Sequence, residues 1–97
     1  MYTLKLLRGA RHDLDNLDGS QRKLVDKSLR KIEKMGMHAG ELLRGDLSGC
    51  RKLKHKKAGL RVVFREASGH IEIIEIVAIG KRSDSEVYKI ASKRILE

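Results

Sequence analysis

The sequence predicts an α+β fold in which two N-terminal helices pack on one face of a small antiparallel sheet, with a short C-terminal helix. Apolar residues recur with the helical period of about 3.6 through residues 10–35 and again through residues 83–96. Between these regions, Val, Ile and Leu dominate three short segments that turn residues separate, a pattern typical of strands. The predicted order is β-α-α-β-β-β-α, and 97 residues allow one domain, residues 1–97.

The N-terminal half is predicted to contain one strand and two helices. Residues 2–7 alternate between apolar and polar side chains, as a short strand does. Residues 10–17 place apolar side chains at helical spacing, which predicts a short helix. Residues 21–35 are amphipathic, with basic residues opposite the apolar stripe, so we expect a longer helix with Ser20 as its N-cap. Gly36 marks the end of that helix.

The C-terminal half is predicted to contain three consecutive antiparallel strands and a helix. The strands are expected over residues 50–55, 60–66 and 71–79, because segments with turn character divide them. The last strand is mostly apolar on both faces, which is typical of a central strand. Residues 83–96 then place their apolar side chains on one partly apolar helical stripe.

The composition indicates a protein that binds a polyanion. Lys and Arg number 22 against 13 Asp and Glu, and the pI near 10.0 exceeds the value of about 9 typical of nucleic-acid-binding domains. A membrane surface or an acidic protein partner would also suit a charge of +9. One cysteine, Cys50, excludes an internal disulfide framework, and no apolar run has the length of a leader or a membrane span. We therefore expect a cytoplasmic protein without a membrane partner.

The densest basic segment, residues 51–61, predicts an anion-binding surface. Successive side chains of a strand point to opposite faces, so Lys52 and Lys54 share one face while Leu53 faces the other. Phosphates neutralised by such lysines release counterions, which favours RNA or DNA. The same lysines are also typical of a solvated strand edge. Arg61 lies in an apolar strand and either pairs with a carboxylate or faces a functional groove, and the phosphate-binding habit of arginine favours the groove.

Five short motifs carry a family resemblance. They are Leu43-Arg44-Gly45, Lys52-x-Lys54, Gly59-x-Arg61-x-Val63, Gly80-Lys81-Arg82-x-x-Ser85-Glu86-Val87-Tyr88 and Lys93-Arg94-Ile95-Leu96. With these motifs the chain resembles toxins of the RelE/ParE superfamily over nearly its whole length, specifically the RelE branch of ribosome-dependent mRNA interferases. The resemblance implies two N-terminal helices on one side of the sheet, an RNA-facing groove on the other, and neutralisation by a cognate antitoxin.

The resemblance also implies a reaction and the residues that perform it. A ribose 2′-hydroxyl of mRNA in the ribosomal A site would attack the adjacent phosphate, leaving a cyclic phosphate and a 5′-hydroxyl without a metal or another cofactor. Lys54 would be the general base and Arg82 the general acid. Lys52 and Arg61 would stabilise charge on the phosphate, and Tyr88 would orient the nucleotide or the hydroxyl. RNA or ribosome contacts are expected from Arg44, Arg51, Lys56, Lys57 and Lys81.

A lysine base needs a physical explanation, because an ordinary lysine amine is protonated at neutral pH. Cations converging on Lys54 from Lys52, Arg61 and Arg82 would disfavour its charged form, whereas a bound phosphate would oppose that effect. We therefore expect Lys54 to act partly as a base and partly through its charge. Histidine offers no better base, since His55 would face away from Lys54 and the other three lie in the helical half or at a turn. Cleavage should then rely on the ribosome to position mRNA.

Two other functions stay open at this point. Toxins of the ParE branch inhibit DNA gyrase without nuclease chemistry, but they generally lack the basic, tyrosine-containing set, which favours the interferase. A non-catalytic RNA-binding or ribosome-binding protein would explain the charge equally well. Arg51 and Leu60 stand where relatives often carry an aromatic residue, so base stacking is in question. The antitoxin is expected to supply an acidic, amphipathic segment that folds on binding.

Overall fold

The computed structural model describes residues 1–81, 83 and 86–96, which form a five-stranded sheet with helices on both faces. In chain order the elements are β1 (Thr3–Leu6), α1 (Arg8–Asp15), α2 (Gly19–Met35), β2 (Glu41–Leu42), β3 (Cys50–His55), β4 (Leu60–Ala67), β5 (His70–Lys81) and α3 (Glu86–Ile95). Two short 3-10 helices, Gly36–Ala39 and Gly45–Leu47, precede and follow β2. The predicted α+β class and the order of the predicted elements are confirmed.

The sheet differs from the prediction in two details. Its strand order is β1-β5-β4-β3-β2, so β5 lies in the interior as predicted, but the two-residue strand β2 adds an edge. The neighbours from β2 to β5 pair antiparallel, whereas β1 pairs parallel to β5. A parallel pair needs a long crossover connection, and residues between β1 and β5 supply it. Side-chain periodicity carries no information on which strand β1 meets, so the parallel edge was not foreseen.

The core is divided between the two faces of the sheet. On one face, α1 and α2 bury apolar residues that include Val25, Ile32 and Phe64. On the other face, α3 packs Val87 and Ala91 against the sheet. The predicted placement of the two N-terminal helices is therefore confirmed, and the second face is only partly covered. None of the described helices combines the length and apolar composition needed to cross a bilayer.

Helix α2 begins two residues earlier than predicted because its N-cap is Asp18 and not Ser20. The Asp18 carboxylate accepts the backbone N–H of Gln21 at 2.8 Å, and the Gln21 side chain accepts the backbone N–H of Asp18 in return. Ser20 supports this cap by donating its hydroxyl to the Asp18 carboxylate. Such a reciprocal capping box satisfies two amides that the helix leaves unpaired. The predicted end holds, since Gly36 has a φ of +61° and follows the last helical residue.

An ion pair between Asp13 of α1 and Arg94 of α3 fixes α3 to the sheet. Strand β1 pairs with β5 only as far as Ile76, so beyond that residue the edge of β5 that faces β1 has no partner among the described strands. Asp13 instead accepts the Ile79 amide at 3.0 Å, while Arg94 donates to the Val77 carbonyl at 2.9 Å. The Arg94 guanidinium also bonds both Asp13 oxygens, at 2.7 and 3.1 Å. This Asp13–Arg94 clamp closes the open edge of β5 and holds the helix that carries Tyr88.

Candidate nucleic-acid interface

The pairing of β3 with β4 brings three cations onto the face of the sheet that α3 partly covers. Lys54 lies directly opposite Arg61, and Lys52 lies opposite Val63. Directly opposed residues of an antiparallel pair have side chains on the same face. Leu53 packs into the core under α1 and α2, as the alternation predicted. We call Lys52, Lys54 and Arg61 the cationic cluster.

Arg61 is the least accessible member of the cationic cluster, with only 4% of its surface exposed. Its guanidinium donates to the Leu60 carbonyl at 2.9 Å, and within the described ranges its Nε has no hydrogen-bond partner. Arg65, four residues along the same strand, has a 2.9 Å ion pair with Glu75. No described carboxylate makes such a pair with Arg61. A buried cation without a carboxylate is costly, so this position is suited to receiving an anion.

Helix α3 places an aromatic ring beside the cationic cluster. The Lys52 ammonium lies 5.7 Å from the centroid of the Tyr88 ring, within the range of a cation–π contact. Tyr88 is partly buried, packed against the apolar residues between α3 and the sheet. The hydroxyl-bearing side chain and the cations thus come from different elements, Tyr88 from α3 and the cations from β3 and β4. Sequence spacing alone could not establish that contact.

A carboxylate that the sequence analysis did not select also lies at this site. Glu41 on β2 pairs with Lys52 in register, and its Oε1 lies 3.1 Å from the Lys54 Nζ. The hydrogen bond from Lys54 is the main reason that the pKa of Glu41 is lowered. Desolvation opposes it with the next largest effect, and the charges of Lys54, Lys52 and Lys56 each lower the pKa by a smaller amount. Glu41 is therefore ionised at neutral pH. A two-residue strand is too short to show a period, so only its proximity to the Leu43-Arg44-Gly45 motif could have drawn attention to it.

The five further basic residues that were predicted to contact RNA fall on different sides of the molecule. Lys56 and Lys57 are exposed in the turn between β3 and β4, and Arg44 is exposed just after β2. Arg51 faces the opposite side from the cationic cluster and donates to the Gly40 carbonyl at 3.2 Å. Lys81 pairs with Leu60, so it too is directed to the α1 and α2 face.

Two other predictions concern the proposed acid and the histidines. Arg82 lies outside the described residues, so its place relative to the cationic cluster stays a prediction. His55 faces α2, as its position next to Lys54 predicted, and its ring Nε2 is hydrogen-bonded to the Ser28 hydroxyl. Among the residues that the structure describes, no group of three His, Cys, Asp or Glu side chains is arranged to hold a metal ion.

A second basic surface lies on the solvent face of α2. Its members are exposed, follow helical spacing, and lie opposite the residues that α2 buries. They are Lys23, Lys27, Arg30, Lys31 and Lys34. We call this set the α2 stripe. Like charges three or four positions apart destabilise a helix by about 0.2–0.5 kcal/mol per pair. Since α2 covers the face opposite α3, the α2 stripe and the cationic cluster are on opposite sides of the sheet.

Comparison with characterised proteins identifies the family. No family model matches the chain. The chain is 32% identical over 94 residues to a RelE-like toxin protein from Escherichia coli, with 97% of each chain covered. It is 30% identical over 95 residues to the mRNA interferase toxin RelE from Escherichia coli K12, with 98% of each covered. The chain therefore belongs to the RelE family of toxins.

Solved structures agree with this assignment. A double arginine-to-alanine mutant of the Escherichia coli toxin RelE in the free state matches with a TM-score of 0.79 and 28% identity, over 97% of each chain. The isolated Escherichia coli RelE toxin matches with a TM-score of 0.74 and 28% identity, over 98% of this chain and 99% of that one. The same kind of mutant in complex with a peptide of the antitoxin RelBc matches with a TM-score of 0.72 and 26% identity, over 93% of each chain.

Proposed function

We propose that residues 1–97 form one toxin domain that cleaves mRNA on the ribosome and is neutralised by a cognate acidic antitoxin. The observation that carries this proposal is the convergence of Lys52, Lys54 and Arg61 on one face beside Tyr88. The relative whose name is mRNA interferase toxin RelE spans the same length. The proposal extends that activity to this chain.

The reaction is an internal transesterification. The ribose 2′-oxygen forms a bond to the neighbouring phosphorus while the bond from phosphorus to the 5′-oxygen breaks. A base takes the proton from the 2′-hydroxyl, and an acid gives a proton to the departing 5′-oxygen. The products are a 2′,3′-cyclic phosphate and a 5′-hydroxyl, so no water, metal or redox partner is consumed.

The cationic cluster is suited to stabilising the transition state. Negative charge increases on the phosphate oxygens as the fifth bond forms, and each well-placed donor contributes on the order of 3 kcal/mol in mutational studies of comparable sites. Arg61 supplies a guanidinium with an unused Nε among the described residues, and Lys52 supplies an ammonium beside the Tyr88 ring. Tyr88, whose ring contacts Lys52, is proposed to orient the nucleotide next to these cations.

Proton transfer is assigned to Lys54 and Arg82. The Lys54 Nζ lies 3.1 Å from a Glu41 carboxylate oxygen, so in the protein without RNA the charge of Lys54 is paired with that carboxylate. Lys54 is proposed to be the base of the reaction once RNA has displaced that carboxylate. Arg82 remains the proposed general acid from the motif alone.

The ribosome is proposed to supply the positioning that the site lacks. His55 is turned towards α2 and takes no part in the face that carries the cationic cluster. The α2 stripe offers five exposed cations on the far side for a second RNA segment. Holding mRNA in a reactive conformation contributes several kcal/mol to such reactions.

A cognate antitoxin is the second proposed partner. The net charge of +9 favours an acidic segment that folds along the basic surface as it binds. A structural neighbour of this chain was solved with an antitoxin peptide, which supports a partner of the same kind here. The electrostatic part of the interaction should weaken as salt increases.

The test is cleavage of a defined mRNA with and without programmed 70S ribosomes, mapped by primer extension. The variants are Lys54→Ala and Arg82→Ala, and Lys89→Ala removes an exposed lysine from α3 as a matched control. We expect ribosome-dependent cuts that decrease by about 100-fold or more in the first two variants and persist in the control. Intact mRNA with the wild-type protein would contradict the proposal, and gyrase inhibition assays would then test the ParE-like alternative. If the wild-type protein cleaved no mRNA and both variants only bound RNA more weakly, the protein would be a passive RNA-binding protein.

A further inference from the structure

We propose that Glu41 is a positioning residue that holds the Lys54 amine in the protein without RNA and competes with an RNA phosphate for it. The inference rests on the proposed function, because it assumes that RNA binds at the cationic cluster. It adds a residue that opposes RNA binding, a role that neither the family relationship nor the motifs assign to Glu41.

The geometry of β2 brings the carboxylate to the cationic cluster. Glu41 lies beside Lys52 in register, which places its side chain on the cluster's face, and its Oε1 reaches diagonally to the Lys54 Nζ at 3.1 Å. The Lys54 side chain is 25% exposed and that of Glu41 is 61% exposed. The carboxylate is therefore the more solvent-accessible partner of the two. Within the described part of the chain, Glu41 is the one carboxylate paired with a member of the cationic cluster.

The charges facing Glu41 determine the sign of its effect. Lys52 and Lys54 come from β3, Lys56 comes from the following turn, and Arg61 lies opposite Lys54 on β4. With Glu41 ionised, one of these cations is neutralised before any RNA arrives. A phosphate that takes the place of the carboxylate must compensate for the loss of that contact. RNA that only the cationic cluster holds therefore gains less affinity from that cluster than RNA that another surface has already positioned.

The substitution Glu41→Gln tests this because glutamine keeps the shape and one acceptor oxygen but removes the charge. Binding is measured to a single-stranded DNA oligonucleotide of the mRNA sequence, which lacks the attacking 2′-hydroxyl and is not cleaved by this reaction. One more available cation should tighten binding by about 3–10-fold at low salt, and the slope of log K against log salt should steepen by about 0.7. Asp46→Asn, at an exposed carboxylate near β2, changes the net charge equally and is the matched control.

A double-mutant comparison shows whether Glu41 acts through Lys54. In a Lys54→Ala background, Glu41→Gln should leave affinity and salt slope unchanged, because the amine that it masks is gone. Equal tightening in Asp46→Asn would overturn the proposal, as would a Glu41 effect that persists without Lys54, or no tightening in Glu41→Gln with an unchanged melting temperature. Because the oligonucleotide is not cleaved, these outcomes are independent of the ribosome assay, so failure of the inference and failure of the proposed function remain distinguishable.

Discussion

Removing the Asp13 carboxylate is expected to destabilise the protein more than removing any exposed ion pair. Asp13→Ala deletes two hydrogen bonds from the Arg94 guanidinium and one from the Ile79 amide. The side chains of Asp13 and Arg94 are only 16% and 18% exposed, so water replaces these bonds poorly. The substitution also leaves the Arg94 charge with the Val77 carbonyl as its remaining described partner.

The size of the effect follows from that partial burial. Breaking a buried pair by removing one partner costs about 3–5 kcal/mol, whereas an exposed pair contributes about 0.2–1 kcal/mol. With less than a fifth of each side chain exposed, we expect the free energy of unfolding to fall by about 3 kcal/mol. For a chain of this length, each kcal/mol lowers the melting temperature by about 4–8 °C, so a decrease of about 12–24 °C is expected.

Urea denaturation followed by circular dichroism measures this change, with the m-value as a check on two-state unfolding. The matched control is Asp26→Ala, which removes a 3.5 Å pair with Arg22 whose side chains are 39% and 43% exposed. That control should lose only about 0.3–0.5 kcal/mol. A loss below about 1 kcal/mol for Asp13→Ala would show that solvent screening dominates and that the clamp does not anchor α3. Arg94→Ala combined with Asp13→Ala isolates the coupling between the two side chains.

Three further predictions concern packing, the thiol and an N-cap. A Cβ at Gly40 would lie 2.7 Å from the Lys52 carbonyl oxygen, so Gly40→Ala should lower the free energy of unfolding, measured by urea denaturation, by about 1–3 kcal/mol. The control Gly19→Ala, whose Cβ would have nothing within 4 Å, should not destabilise the protein. Burial raises the pKa of the Cys50 thiol, against a smaller effect of the nearby Arg65 guanidinium. Thiol labelling at mildly alkaline pH should therefore be slow until urea unfolds the chain. Rapid labelling of the native protein would contradict this prediction. The backbone hydrogen bond from Gln21 lowers the pKa of Asp18, so its stabilisation is present above the ordinary value of 3.8 and lost as pH falls through the native value. Asp18→Ala should therefore lower the urea midpoint at neutral pH, and a difference that did not shrink towards pH of about 2 would refute the assignment.

Local patterns predicted most of the fold because they reflect which face each element buries. The segment 50–55 was predicted with the bounds that β3 has, and α2 was predicted to within two residues at its start. The same alternation correctly placed Lys52 and Lys54 on one face. The alternation also places Arg51 on the other face, as the structure has it, and its contact with RNA stays a prediction.

The remaining features depend on contacts between distant parts of the chain. Asp13 and Arg94 are 81 residues apart, and nothing in the short pattern around either residue indicates its partner. The contact of Glu41 with Lys54 depends on β2, whose two residues cannot show a period. The Lys52 contact with the Tyr88 ring depends on where α3 crosses the sheet. Such contacts are fixed by tertiary packing, which local propensity does not report.

The positions of the charges themselves offer a reason for the proposed ribosome dependence. The cationic cluster opens on one face of the sheet and the α2 stripe on the other, so an RNA strand bound at the first leaves the second available. Isolated mRNA provides one contact and must also displace the Glu41 carboxylate from Lys54. In the proposed complex, ribosomal RNA at the α2 stripe and mRNA at the cationic cluster bind as two linked sites, and linkage raises the effective concentration of the second contact. On this argument, the proposed requirement for the ribosome would come from weak phosphate binding at the cationic cluster alone, and supplying a further catalytic group would not remove it.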